Sequence, residues 1–290
     1  MNRLAAPRRR MWSATPSHST ALLLLAPLAL AVAAFVLYPL FKLVGDSLAG
    51  GGLQNYADAF SGPLVKRALL TTLLYAAGVT VVAVAVGWGL AWTVRTSRSR
   101  LVKGLIWAGV MLPFWMGVVV KNYAFTVLLA NNGVINRALT GVGLLDRPVQ
   151  LLYTPGAVIV GIAYAMIPYA FFGIYAVLSS VDLGLPSAAQ SLGATRTRAI
   201  RTTVLPLALP GIVASAALVF AISIGFYVTP VLLGGAQTPF MATLIQDDIF
   251  TYNDPTEAAT ASVLLLICAL IVLGATFKAV GRERLLRAIA

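Results

Sequence analysis

Six stretches of this 290-residue chain are apolar enough and long enough to cross a bilayer, and nothing constrains its fold more. A helix needs about 20 mostly apolar residues to span the hydrocarbon core. Lipid offers the backbone no hydrogen bonds, so such runs must be helical. The spans are predicted at roughly residues 20–43, 69–94, 104–130, 156–178, 205–233 and 258–280. With 59% hydrophobic and 10% charged residues, one soluble core could not enclose this apolar surface, so the chain is predicted to be an all-α integral membrane protein. Residues 1–19, rich in Arg, Ser and Pro, are expected to form a flexible basic tail, and residues 20–290 a single transmembrane domain.

An arginine-rich start, an apolar run and Ser47-Leu48-Ala49 have the outline of a secretory signal. The apolar run is about twice the usual signal length, so it is taken as a retained first span. Lys and Arg in short loops stay on the cytoplasmic side. Arg3, Arg8, Arg9 and Arg10 precede span one; Arg95, Arg98, Arg100 and Lys103 separate spans two and three; Arg196, Arg198 and Arg201 separate spans four and five; Lys278, Arg282, Arg284 and Arg287 follow span six. These segments alternate, which predicts that both termini are cytoplasmic. The opposite loops carry Lys66, Arg67, Arg137 and Arg147 with most of the acids, Asp46, Asp58, Asp146, Asp247, Asp248, Asp254 and Glu257.

Several function classes fall away. The +12 net charge is scattered between apolar runs and forms no continuous basic face for nucleic acid. One cysteine, Cys268, inside an apolar run, and one histidine, His18, in the tail, give neither a disulfide framework nor a metal cluster. No phosphate-cradling G-x-x-x-x-G-K-[ST] occurs, so the chain is expected to bind no nucleotide and to hydrolyse none. The spans hold no histidine and no acid well inside the bilayer, which disfavours a membrane-embedded enzyme and an ion-coupled carrier. Lys121, past the middle of span three, either snorkels to the outer interface or lines a path.

Between spans four and five lies "PSAAQSLGATRTRAIRTTVLPLALPGI". Pro186 in a first turn, Ser187 as a cap, two alanines and Gly193 as a stop suit a short helix. Gly193 permits a positive φ. A second basic piece leads back to the bilayer, with Pro206 and Pro210 in the first turns of span five. The small face of Ala188, Ala189 and Gly193 fits either close docking of another protein or an ordinary basic loop.

The stretch resembles the loop motif of ABC importer inner-membrane permeases: Glu-Ala-Ala, three residues, Gly, nine residues, Ile, one residue, Leu-Pro. Ala188, Ala189, Gly193, Leu205 and Pro206 stand at the matching positions, while Ser187 replaces the family's Glu and Thr203 its Ile. The resemblance covers roughly residues 56–276 and is closest to spermidine/putrescine-type permeases, through "LPFWMGVVVKNYAFTVLLANNGVIN", "LLYTPGAVIVGIAYAMIPY" and "FYVTPVLLGG". Opine, thiamine and ferric-iron permeases share pieces of these.

The resemblance implies six membrane helices in a bacterial inner membrane and a cytoplasmic coupling helix built on Ser187, Ala188, Ala189, Gly193, Ala194, Leu205 and Pro206. It further implies ATP and Mg held by separate ATPase subunits, a second, non-identical permease subunit, and a periplasmic solute-binding protein that delivers a polyamine-like cation. A self-sufficient channel or carrier is the rival from another class. Small residues in span two, "YAAGVTVVAVAVGWG", would allow close helix packing. Pro113, Pro168 and Pro230 are either kinks or breaks that line a cavity. Trp115, Tyr123, Tyr164, Tyr169 and Tyr227 are candidate cation contacts or interfacial anchors. The acidic loop "IQDDIFTYNDPTEA" is expected to be solvated or to dock a partner.

Overall fold

The computed structural model describes residues 26–27, 30–235 and 238–280. The expected tail, with Arg3, Arg8, Arg9, Arg10 and His18, lies outside them, as do Arg282, Arg284 and Arg287. Among the described residues every regular element is helical, and six segments are long and apolar enough to cross a membrane. The elements are α1 (Leu30–Ser47), α2 (Gln54–Ser61), α3 (Pro63–Thr96), α4 (Arg100–Trp115), α5 (Val118–Leu129) and α6 (Val134–Gly141). They continue as α7 (Pro155–Ser180), α8 (Gly184–Ser191), α9 (Arg196–Ile224), α10 (Met241–Phe250) and α11 (Pro255–Val280).

The centre is a packing of α3, α7 and α9. On α3 the buried Ala68, Thr72, Ala76, Val79, Ala83, Gly87, Ala91 and Val94 recur every three or four residues, so one stripe of mostly small side chains faces inward. Lipid tails are as apolar as leucine, so helices associate in a membrane by close van der Waals fit. A Cβ on Gly87 would lie 2.9 Å from Ala170 Cβ and 3.0 Å from the Phe171 amide nitrogen. Gly211 on α9 is as tightly held, 2.7 Å from Val177 Cγ2. The small residues of span two therefore do set the helix spacing. Around this centre, α11 packs on α9, α1 and α10.

Two spans differ from their predicted form. Residues 104–130 are two helices, α4 and α5, separated by an extended Met116 and by Gly117, and the third segment long and apolar enough to cross lies further on, at Val118–Gly141, over α5 and α6. Pro113 has no N–H to donate in the last turn of α4, and Gly117 brings no side chain to hold the turn. Hydropathy does not register that break because both halves are apolar. Span five begins earlier and ends sooner than residues 205–233. It runs from Arg196 to Ile224, stops at Gly225, and is followed by a π-helical turn over Pro230–Gly234. Pro168 breaks nothing: α7 runs through it, enclosed by α3, α4, α5 and α9, whose packing holds the helix together. Pro113 and Pro230, by contrast, do stand at breaks.

Candidate functional site: the loop helix and the broken spans

The loop between α7 and α9 closes its own backbone. Asp182 Oδ1 accepts the Gly184 N–H at 2.8 Å at the start of α8. This corrects the expected cap: Ser187 lies inside α8, where its carbonyl accepts from Ser191 Oγ at 3.2 Å. At the other end Gly193 takes φ +89°, its N–H reaches Gln190 O at 2.9 Å, and the Ala194 N–H reaches Ala189 O at 3.1 Å. That is the paired reverse bond of a Schellman stop, which needs a residue without a Cβ at the left-handed position. Thr195 Oγ1 then accepts from the Arg198 N–H and opens α9. The ring of Pro206 would clash with a carbonyl one turn back, and the helix widens to π geometry over Ile200–Val204 just upstream. Leu205 and Pro206 thus lie within a continuous helix.

The result is a rigid knob. Pro186 is buried beneath it, while Ser187, Ala188, Gly193 and the side chain of Leu192, 90% exposed, face outward. Ala189 and Ala194 are half-buried. A Cβ on Gly193 would meet nothing within 4 Å. The guanidinium of Arg95, at the end of α3, donates to Val181 O at 3.3 Å and ties the arm of the loop to the central helices. Sequence reasoning missed Leu192; its signal is a large apolar residue directly before the Gly193 stop, following the small and polar run Ser187–Ser191.

Lys121 does not snorkel. It is 8% exposed, and its ammonium turns back across the break to donate to Pro113 O at 3.0 Å. The last carbonyls of a helix have no partner within it and carry its negative end, so a cation seated there holds α4 and α5 in register. Asn122 beside it is also buried, donating to Val118 O at 2.9 Å. Thr229, 1% exposed, packs close to Gly161 on α7 near the same asparagine.

The five aromatics do not converge. Tyr164 meets Phe125 of α5 edge-on at 5.3 Å, and Tyr169 meets Phe114 of α4 at 5.7 Å, so each pins one half of span three against α7. Tyr227 donates its hydroxyl to Gln246 Oε1 at 2.6 Å. Trp115 and Tyr123 are 80% and 69% exposed, on an apolar flank with Leu112, Val119 and Val120. A cavity of about 320 Å³ between α3, α4 and α7 is walled by Leu90, Ile106, Val110, Pro113, Tyr164 and Pro168 and is almost wholly carbon-lined.

At the end of the molecule opposite the loop helix, α10 and α11 form an acidic corner. Asp254 Oδ1 accepts the Thr256 and Glu257 N–H groups at 3.0 and 2.9 Å and caps α11. Asp248 departs from the solvated loop expected there. It is 3% exposed, and its Oδ2 makes no hydrogen bond. Burial, reinforced by the charges of Glu257, Asp254 and Asp247, pushes its carboxyl up to about 6. The apolar face of α10, with Met241 and Leu244 preceding Asp248 at helical spacing, is the signal that could have found it.

Known proteins share this architecture. Residues 10–282 match the family described as "Binding-protein-dependent transport system inner membrane component". The spermidine/putrescine transport system permease protein PotB of Salmonella typhimurium is 29% identical over 222 residues, covering 76% of this chain and 77% of that protein. The molybdenum transport system permease protein ModB of Mycobacterium bovis is 30% identical over 214 residues, covering 73% of this chain and 79% of that one. In structure, a chain of a bacterial alginate ABC transporter, in complex with its alginate pentasaccharide-bound periplasmic protein, superposes with a TM-score of 0.75 at 21% identity, over 91% of this chain and 94% of that one. The family match, the six apolar spans and the shared permease fold agree: this chain belongs to the inner-membrane component family of binding-protein-dependent transport systems and is a permease subunit of an ABC importer.

Proposed function

We propose that this permease forms, with a second and non-identical permease subunit, the path of an importer for a small organic cation of the polyamine class, delivered by a periplasmic binding protein. The basic end, with Arg95 to Lys103 and Arg196 to Arg201, faces the cytoplasm. There α8 sits in a groove of a separate ATPase that holds ATP and Mg. The single observation that carries the coupling role is the knob itself: a locally closed helix on the loop-motif spacing, with Leu192 at 90% exposure on its tip. Closure of the ATPases pushes that knob, and Arg95, bonded to Val181 O, carries the displacement into α3 and the central packing.

The cargo class rests on similarity to the spermidine/putrescine permease across three quarters of the chain. Neither half of span three offers a carboxylate, and Lys121 places an ammonium at the junction. A cation would therefore pass through weakly, held by carbonyls and aromatic faces, with selectivity residing in the binding protein. Uptake of radiolabelled spermidine and putrescine by cells lacking their own polyamine importers, and supplied with this complex, tests the reading. Saturable, ATP-dependent uptake is expected. A binding protein that ignores polyamines and binds an oxyanion or a metal chelate would replace the cargo and leave the coupling role standing.

A further inference from the structure

The end of α3 packs on the start of α9, through Ala91 and Val94 against Val204 and Ala208. Beside that contact a cavity of about 230 Å³ is walled by Trp88, Thr197, Ile200, Arg201 and Leu205. Its depth is fixed by both helices. Trp88 stands about two turns before Thr96 ends α3, and Arg201 lies inside the apolar segment that begins at Arg196. That is the level at which a span passes from hydrocarbon to headgroups, where tryptophan is favoured. Trp92 stacks on Trp88, with ring centroids 6.2 Å apart and planes 12° apart, and holds the indole wall in place.

Arg201 is the one charge lining the cavity, and nothing in the protein uses it. It makes no hydrogen bond or ion pair among the described residues. Asp182, the acid of the same loop, accepts the Gly184 N–H, and Arg95 is committed to Val181 O. An arginine in open water would carry no meaning by itself. Arg201 instead shares a recess with an indole ring, Ile200 and Leu205, so one wall is cationic and the other is carbon. A guanidinium matches a phosphate with two parallel hydrogen bonds, and basic recesses between membrane helices take lipid headgroups. No carboxylate lines the cavity, so the ammonium of a zwitterionic headgroup would find no partner there.

We propose that this cavity seats an anionic phospholipid of the cytoplasmic leaflet, its phosphate on Arg201 and Thr197 and the start of its acyl chains along Trp88 and Leu205. The choice of leaflet rests on the cytoplasmic placement of the basic end in the function proposed above. A lipid held there braces the junction through which movement of the loop enters α3 and α9.

The test titrates the purified permease–ATPase complex in detergent with phosphatidylglycerol, and separately with phosphatidylcholine, and counts bound lipid by native mass spectrometry. Arg201→Gln is compared with Arg137→Gln, an exposed arginine at the opposite end of the molecule. Phosphatidylglycerol binding should weaken at least about fivefold in Arg201→Gln, the factor one interfacial arginine contributes, and should be unchanged in Arg137→Gln. Equal binding of phosphatidylcholine, an equal loss in both variants, or no loss in Arg201→Gln would overturn the proposal. So would Arg201→Gln releasing the ATPase while bound lipid stays the same, because the cavity would then belong to a protein partner. The leaflet is read separately, from Arg198→Cys in a Cys268→Ser background. An impermeant thiol reagent should label it only after the membrane is breached. Labelling from outside the cell, with Arg201-dependent lipid binding intact, would overturn the orientation and the leaflet but leave the lipid seat standing.

Discussion

The two ends of the molecule handle polar groups in opposite ways. At the basic end the loop satisfies itself: Asp182 caps the start of α8, a Schellman turn at Gly193 closes its end, and Thr195 opens α9. At the acidic end Asp248 is buried among like charges with one oxygen unsatisfied. A segment closed on itself moves as a unit and transmits force. A segment carrying an uncompensated charge responds to what approaches it. On the function proposed above, the basic end is the one that is pushed.

The largest effect is expected from Gly193→Asp. A non-glycine residue at a positive φ costs about 1–2 kcal/mol, and the new charge would stand on the face proposed to meet the ATPase. A Cβ there would meet nothing within 4 Å, so the cost is confined to that backbone strain at the end of α8, and membrane insertion is expected to survive it. ATP-dependent uptake should fall more than tenfold while the protein still reaches the membrane, measured by transport assay and quantitative immunoblot. Normal ATPase assembly and uptake would erase the difference between the two ends.

Asp248→Asn sharpens the contrast from the other side. The folded carboxyl is raised from 3.8 to about 6, so folding favours its protonated form. The stability this contributes is complete below about pH 4 and is lost as pH rises through about 6. The asparagine variant should therefore melt higher than wild type at pH 7.5, by the equivalent of at most about 3 kcal/mol. The advantage should shrink towards zero near pH 4, as read by thermal unfolding in detergent. An unchanged or lower midpoint at pH 7.5 would mean that Asp248 is compensated.

The smallest effect is expected from Ser187→Glu, which restores the acid of the related loop motif on an exposed face of α8. Uptake should stay within about twofold of wild type. Loss of ATPase assembly would show that this partner's groove has no room for the acid.

The spans were legible in the sequence because bilayer thickness fixes how long an apolar run must be, and α3, α7 and α11 contain the runs predicted for them. The breaks were not. At Met116–Gly117 and Gly225 the chain stays apolar while the backbone changes direction, so hydropathy carries no mark of either. Gly193 was legible because the left-handed position at a helix stop selects for glycine. Ser187 was misassigned as a cap because Asp182, two residues before α8, reaches the first free N–H of that helix first. Lys121 was unreadable for a similar reason: its partner, Pro113 O, becomes available only once span three is broken.

The central claim is that the knob at Leu192 is the seat of the ATPase. With Cys268 replaced by serine, Leu192→Cys offers a thiol at the exposed tip of α8, and cross-linking to single cysteines around the ATPase groove in the assembled complex measures the contact directly. Efficient adducts to the ATPase whose yield changes between the nucleotide-free and ATP-bound states are expected. A complex that hydrolyses ATP and imports substrate but forms no adduct from position 192 in either state would contradict it.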